Sequence, residues 1–140
     1  MKVMVFVKAN AASEAGELPS SELIEEMMKF NEQLHAAGVM VAGEGLHPSM
    51  NGKRVRFTGA GRTVIDGPFS ETKELIAGFW IWEVKSMEEA VEWLKRAPFK
   101  DGEEVELRRI ASSEDYAPAA SPEIIARENE MRAEQERRNR

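Results

Sequence analysis

The sequence predicts an α+β fold, and three observations support this. Short runs of apolar and β-branched residues with the length of strands recur along the chain. Two longer segments carry apolar residues at helical spacing. Between these segments, two short strand-like runs flank a Gly-Ala-Gly turn, which is typical of a hairpin. The resulting order is strand, helix, strand, hairpin, strand, helix, strand.

The first strand and the first helix follow from the N-terminal sequence. Lys2 to Lys8 predicts a strand with three valines on one face and a methionine and a phenylalanine on the other. The segment from Asn10 to Ser20 is polar and small, and it predicts a loop. Ser21 then predicts a helix N-cap, and Gly38 predicts the end of that helix.

The remaining strands are predicted from alternation and from turn residues. Val39 to Ala42 is a short apolar strand. Arg54 to Thr58 alternates between basic and apolar residues, and Thr63 to Ile65 pairs with it after the glycine turn. Phe79 to Val84, with the sequence FWIWEV, predicts a further strand, and Val105 to Ile110 predicts the last one.

The second helix begins at a capping box, in which Ser86 is the N-cap and Glu89 is the third helical residue. Pro98 ends it. The complete order is that of a ferredoxin-like βαββαβ plan with an inserted β-hairpin, over residues 1–111. Residues 112–140 form a charged extension, and the Ser-Pro-Glu sequence at 121–123 predicts the start of a helical tail.

Two of the predicted strands are apolar on both faces, although two helices can cover only one face of a sheet. These strands are Lys2 to Lys8 and Phe79 to Val84. An antiparallel sheet with one solvated face should instead alternate between apolar and polar residues. We therefore expect a homodimer in which the open sheet faces of two chains pack together. The alternative is that the C-terminal helix folds back over this face.

Composition excludes several classes of function. The chain has 140 residues, no cysteine and a formal net charge of −6. Thiolate metal sites, disulfides and cysteine nucleophiles are therefore excluded, and sequence-independent binding to nucleic acid is disfavoured. No apolar run approaches the length of a membrane span, and the N-terminal residues lack the pattern of a signal peptide. We expect a cytoplasmic protein that binds neither nucleic acid nor membrane.

A longer motif follows the hairpin. Asp66-Gly67-Pro68-Phe69 precedes Glu71-Thr72-Lys73-Glu74 and then Gly78-Phe79. Gly43-Glu44-Gly45-Leu46 lies after the second strand, and Glu88-Glu89-Ala90 with Trp93 lies in the second helix. With these motifs, residues 1–111 resemble the DGPF-type branch of the YCII-related proteins.

This resemblance implies a dimeric α/β-barrel with a cleft near the sheet. In better-known relatives a histidine and an aspartate are proposed to act there, and no established reaction comes with the family. The position of that histidine aligns near Met27 here, and the nearest histidine is His35, two turns later. Only Asp66 therefore remains from the pair. Relatives of the DGPF type are often encoded near sigma factors, which favours a regulatory role as an alternative.

Six residues are candidates for the site. We expect Asp66 and Glu71 to be catalytic carboxylates, since a carboxylate at a strand end can act as a general base when it is buried. The alternative for Asp66 is a turn residue that accepts backbone hydrogen bonds. Substrate binding is predicted for Glu44, His47, Arg54 and Arg56. The alternative for Glu44 is a strand exit, and the alternative for His47 is a solvated loop. For the two arginines the alternative is an exposed strand face.

Two functions remain open from the sequence. The first is a small-molecule site or enzyme in a cleft, and the second is a non-catalytic regulatory or interaction module. Two histidines and scattered carboxylates have no metal-ligand spacing, so we expect no metal and no cofactor. A heme-type or monooxygenase-like role would rest on fold analogy alone, and the chain lacks a convincing histidine ligand for it.

Overall fold

The computed structural model describes all 140 residues, which divide into two compact units, Met1–Arg109 and Ile110–Arg140. The elements of the first unit, in chain order, are β1 Lys2–Lys8, α1 Ala11–Glu14, α2 Ser21–Ala36, β2 Met40–Gly45, β3 Lys53–Thr58, β4 Gly61–Asp66, β5 Ile76–Glu83, α3 Met87–Leu94 and β6 Val105–Arg109. The second unit contains α4 Pro122–Arg138.

The first unit is built on a four-stranded antiparallel sheet in the order β2-β5-β1-β6. The central strand β1 pairs with β5 on one side and with β6 on the other, so that Val5 lies opposite both Trp80 and Leu107. The predicted mixed α/β fold, with an antiparallel sheet and a C-terminal helix, is therefore confirmed.

The core lies on one face of this sheet. Val3, Val5 and Trp82 are fully or almost fully buried there, and Phe30 and Leu34 of α2 pack against them. Phe30 makes edge contacts with the rings of both Trp80 and Trp82, at centroid distances of 5.8 and 6.2 Å. These large rings exclude water from the space between sheet and helices, which accounts for most of the stabilisation of the fold.

The opposite face of the sheet also carries apolar side chains. Met4 and Phe6 of β1 lie beside Ile81 and Phe79 of β5, and all four are only partly buried. None of them belongs to the core cluster. The alternation that places valines in the core thus places these four side chains on the second face, which we call the open face.

Several element boundaries differ from those predicted. The N-cap of α2 is Ser20, whose side chain accepts a hydrogen bond from the Leu23 N–H, so the helix begins at Ser21 itself. The segment predicted as a loop contains α1, in which Asn10 and Ser13 form a reciprocal capping box. A helix of four residues is too short to show a helical period, so its sequence indicated only polarity.

The hairpin of β3 and β4 forms a sheet of its own, with Val55 opposite Val64 and Lys53 opposite Asp66. Its residues are almost all exposed. The turn contains Gly59 at a φ of 55°, a left-handed conformation that glycine adopts without steric cost.

The second unit, Ile110–Arg140, overlaps the charged segment that the sequence predicts at residues 112–140. Ser121 caps α4, and Pro122 occupies its first turn. Arg132 pairs with Glu128 and Arg138 with Glu134 along the helix, at 2.8 and 2.6 Å. No helix of the chain has the length and apolar character needed to cross a membrane.

Candidate functional site

A groove of about 1450 Å³ lies at one end of the four-stranded sheet, where β1 and β2 end and β5 begins. One wall is the segment from Ala9 to Ser20, which includes α1, together with the first turns of α2. The other walls are residues 45–51 and 98–104. Six of the large apolar side chains that line it are Val7, Leu23, Met27, Leu46, Met50 and Phe99.

Backbone hydrogen bonds fix the base of the groove. The N–H of Ala9 donates to the carbonyl of Leu75 at 2.9 Å, and the N–H of Leu46 donates to the carbonyl of Ala77 at 2.8 Å. The segments that leave β1 and β2 are thereby held against the start of β5. Their positions are set by sheet pairing, so the groove is largely formed before any ligand binds.

His47 lines the groove, and Asn51 orients its ring. The side-chain amide of Asn51 lies 3.1 Å from Nδ1 of His47. Because the amide nitrogen is a donor, Nδ1 accepts this bond, which places the imidazole proton on Nε2. His47 therefore presents Nε2–H to the groove as a hydrogen-bond donor.

Charged groups of both signs surround the groove. Lys8, Lys73 and Lys100 line it, as do Glu17, Glu103 and Glu104. Three cations and three carboxylates leave no strong preference for a ligand of one sign. The apolar side chains and His47 consequently define the chemistry of the groove better than its charge does.

A hydrogen-bond network centred on Ser49 joins three segments of the chain behind the groove, and we call it the Ser49 network. The Ser49 N–H donates to Glu14 Oε1 at 3.0 Å, and its hydroxyl donates to Glu14 Oε2. The N–H of Phe69 in turn donates to Ser49 Oγ at 3.0 Å. The network joins the end of α1, the turn at Ser49–Asn51 and the Asp66–Phe69 motif.

The Asp66–Phe69 motif packs closely on the same turn. The N–H of Gly67 donates to the carbonyl of Gly52 at 3.0 Å, and the Gly67–Pro68 peptide bond is cis. A Cβ atom at Gly67 would overlap the carbonyl oxygen of Ser49. The motif therefore forms a tight corner in this chain, and glycine is required there because two backbones meet.

The two predicted catalytic carboxylates lie outside the groove. Asp66 pairs with Lys53 across the hairpin, and its side chain is 74% exposed. Glu71 is exposed and precedes the turn at Thr72–Glu74. The cleft predicted for them involves two chains, and this structure contains one, so their catalytic roles stay predictions.

The other predicted binding residues are also dispersed. Glu44 lies opposite Phe79 in the sheet. The guanidinium of Arg54 stacks 3.8 Å from the centre of the Phe69 ring, and Arg56 is exposed opposite Thr63. Of the six predicted site residues, His47 is the one that lines the groove.

The glycines beside Glu44 have a packing role. A Cβ atom at Gly43 would lie 2.7 Å from the ring of Trp80, and one at Gly78 on the paired strand would lie 2.9 Å from the carbonyl oxygen of Glu44. The absence of side chains thus lets β2 and β5 approach each other and accommodates the tryptophan. Close approach of a ligand is not needed to explain them.

Three residues that the sequence did not indicate complete the site. Glu14 and Ser49 are 35 positions apart, so no local pattern connects them. Asn51 follows His47 by four positions, and this spacing was the one local signal of their hydrogen bond. No group of three or more histidine, aspartate or glutamate side chains is placed to hold a metal ion.

Comparisons with known proteins identify the family of the chain. No curated protein is significantly similar to the chain. A solved structure, the 5-chloro-2-hydroxyhydroquinone dehydrochlorinase of Burkholderia phenoliruptrix AC1100 in complex with 2,5-dihydroxybenzoquinone, is 17% identical, covers 82% of this chain and 98% of its own, and has a TM-score of 0.47. The model of the YCII-related domain matches residues 1–113. The chain therefore belongs to the YCII-related domain family.

Proposed function

We propose that this YCII-related chain binds a small organic molecule in the groove at the end of the sheet, and that His47 donates a hydrogen bond to it from Nε2–H. The observation that carries the proposal is the placement of an oriented imidazole in the wall of a large, mainly apolar groove. Ligand sites are typically concave and apolar, with a few polar groups that select and orient the ligand.

The lining of the groove indicates the class of ligand better than its size does. Its volume of about 1450 Å³ exceeds the roughly 300–1,000 Å³ of typical ligand pockets, so there is room for a metabolite with one or two rings and size alone does not select it. Leu23, Leu46 and Phe99 provide apolar surface for such a ring. A hydroxyl or carbonyl oxygen on the ligand would accept a hydrogen bond from Nε2–H of His47.

We further propose that the fold is the ferredoxin-like plan with an inserted hairpin, and that the chain is of the DGPF branch. The strand order β2-β5-β1-β6 supports the first assignment. The strands β3 and β4 are inserted in sequence between β2 and β5, which pair with each other in the sheet. The close packing of Gly67 on the turn at Ser49 supports the second, because the motif then has a definite structural role.

The functional unit that we propose is a homodimer, in which the open faces of two chains pack together as a dimeric α/β-barrel. Four partly exposed apolar side chains, Met4, Phe6, Phe79 and Ile81, support this. Burial of such a face against a second sheet removes apolar area from water. In this dimer, Glu44, Arg54, Arg56, Asp66 and Glu71 retain their proposed site roles at the edges of the cleft.

Methyl NMR tests the proposed groove directly. Met27 and Met50 line the groove, whereas Met28 and Met131 are exposed elsewhere. With methionine methyl groups labelled, a ring-containing metabolite that binds should shift the signals of Met27 and Met50 and leave those of Met28 and Met131 in place. Metabolites that raise the melting temperature without these shifts would place the site elsewhere.

Replacement of the two histidines separates the role of His47 from general effects. We expect His47→Gln to weaken binding of such a metabolite about tenfold, because it removes the imidazole Nε2–H donor, whose hydrogen bond contributes roughly 1–1.5 kcal/mol. His35→Gln, in the last turn of α2, is the matched control and should bind like the wild type. Equal affinities for all three proteins would contradict the role of His47.

A further inference from the structure

The hairpin of β3 and β4 is an exposed arm with two distinct faces. Residues directly opposite each other in an antiparallel pair share a face. Val55 and Val64 are therefore on one face with Phe57 and Arg62. Arg54 and Arg56 lie on the other face. A two-stranded hairpin alone is marginally stable in water, so an exposed hairpin of this length gains from a partner.

The first face exposes an unusual amount of apolar surface. Val55, Phe57 and Val64 are 51%, 71% and 61% exposed, and they are adjacent in the register of the hairpin. The guanidinium of Arg62 lies over the Phe57 ring at 4.5 Å from its centre, which leaves the other side of the ring open. Contiguous apolar surface of this kind, rimmed by charge, is typical of interaction sites.

The arm is basic in an otherwise acidic chain. Between Lys53 and Asp66 there are four cationic side chains and one carboxylate, which gives the arm a charge of +3. The whole chain has a formal net charge of −6, so the residues outside the arm carry −9. The chain therefore contains both members of a complementary pair of surfaces, and opposite charges favour association of one copy with another.

One row of side chains on the open face is complementary to the arm in its arrangement of charged and apolar groups. In this row Glu44, Phe79, Phe6 and Glu106 lie side by side on β2, β5, β1 and β6. Two aromatic side chains are thus flanked by carboxylates. The arm has the opposite charge beside its apolar side chains, because Arg62 shares their face. Glu106 is already paired with Lys8 at 3.5 Å, so Glu44 is the carboxylate that remains for an incoming arginine.

We infer that in the dimer the arm of each chain packs on a second copy of the chain, at the end of the partner's open face where Glu44 lies. This inference rests on the proposed dimer and assigns it a second contact besides sheet packing. In a twofold dimer the contact occurs twice, because each chain supplies one arm and one acidic surface. A second copy suits the arm better than nucleic acid, which the acidic remainder of the chain would repel.

The first test compares the dissociation constant of the dimer for the full-length wild type and variants by sedimentation. The double variant Phe57→Thr/Val64→Thr keeps β-forming residues in the arm and should raise this constant about tenfold or more, with an unchanged circular dichroism spectrum. Met28→Gln, at an exposed methionine of α2, is the apolar control. Arg62→Glu, on the same face as Phe57, should also weaken the dimer, and Lys29→Glu on α2 is its charge control.

Cross-linking tests where the arm lies, and it does not depend on how the variants affect affinity. The chain has no cysteine, so single cysteines can be introduced without competing thiols. A mixture of Phe57→Cys and Glu44→Cys chains should give cross-linked dimers with a short bismaleimide. A mixture of Met28→Cys and Glu44→Cys chains should give none.

The outcomes separate this inference from the proposals on which it rests. A wild type that stays monomeric at all concentrations overturns both the dimer and the arm contact. A wild-type dimer that the arm variants leave unchanged overturns the arm contact alone. Equal cross-linking of the two mixtures does the same. None of these three results bears on ligand binding in the groove, which is measured separately with His47→Gln.

Discussion

Replacement of Gly67 by alanine should destabilise the first unit by about 2–3 kcal/mol, because the new methyl group has no space. It would overlap the carbonyl oxygen of Ser49, and backbone atoms at a packed corner cannot move as easily as a side-chain end. For a chain of this size the melting temperature should fall by roughly 8 °C. Thermal unfolding followed by circular dichroism provides the measurement.

Two controls show that the corner, rather than any change in the motif, causes this effect. Gly45→Ala adds the same methyl group where no atom lies within 4 Å, so it should be neutral or stabilise by roughly 0.4–1 kcal/mol. Asp66→Ala removes an exposed ion pair and should cost less than about 1 kcal/mol. Equal melting temperatures for Gly67→Ala and Gly45→Ala would contradict the prediction that a methyl group at Gly67 has no space.

Loss of the Ser49 hydroxyl should have a comparable effect on stability and a local effect on the groove. Ser49→Ala leaves a carboxylate oxygen of Glu14 and the N–H of Phe69 without their partner. Bonds to a charged group contribute roughly 1.5–3 kcal/mol each and neutral ones less, so we expect a loss of about 2–3 kcal/mol. Amide exchange should rise most in residues 9–20, which form a wall of the groove.

The matched control for this prediction is Ser70→Ala. Ser70 is exposed and lies next to Phe69 in the same motif, and its substitution removes a hydroxyl outside the network. Its melting temperature and its exchange in residues 9–20 should match those of the wild type. If amide exchange in Ser49→Ala instead accelerates uniformly across the sheet, the serine stabilises the whole fold and does not specifically stabilise the groove wall.

The strands and helices of the first unit were predictable because their signals are local. Alternation in β1 separates three valines from Met4 and Phe6, and the capping residue Ser86 does accept the hydrogen bond from the Glu89 N–H. The boundaries were less accurate. The strand β5 begins at Ile76 rather than Phe79, since sheet pairing with β1 and β2 extends it beyond the apolar run.

The site was less predictable, because it depends on contacts between distant parts of the chain. Titratable residue types directed attention to Asp66 and Glu71, yet their side chains are exposed, and in this chain neither lines the groove. His47 was selected as a substrate-binding candidate and lines the groove, and that binding role stays a prediction; its orientation by Asn51 required the fold of the loop. The type of a side chain shows which chemistry is available, and only the tertiary structure shows where in the molecule that side chain lies.

By itself the sequence determined the order of the strands and of the longer helices, the two apolar faces of β1 and β5 and the family to which the chain belongs. These properties follow from alternation, helical spacing and motif residues, all of which act over short stretches of chain. Tertiary structure decided where the groove lies, that the Gly67 backbone packs against the Ser49 backbone, and that Ser49 joins three segments of the chain. Those features arise where segments far apart in sequence meet, and the steric and hydrogen-bonding constraints between them exist only in the folded chain.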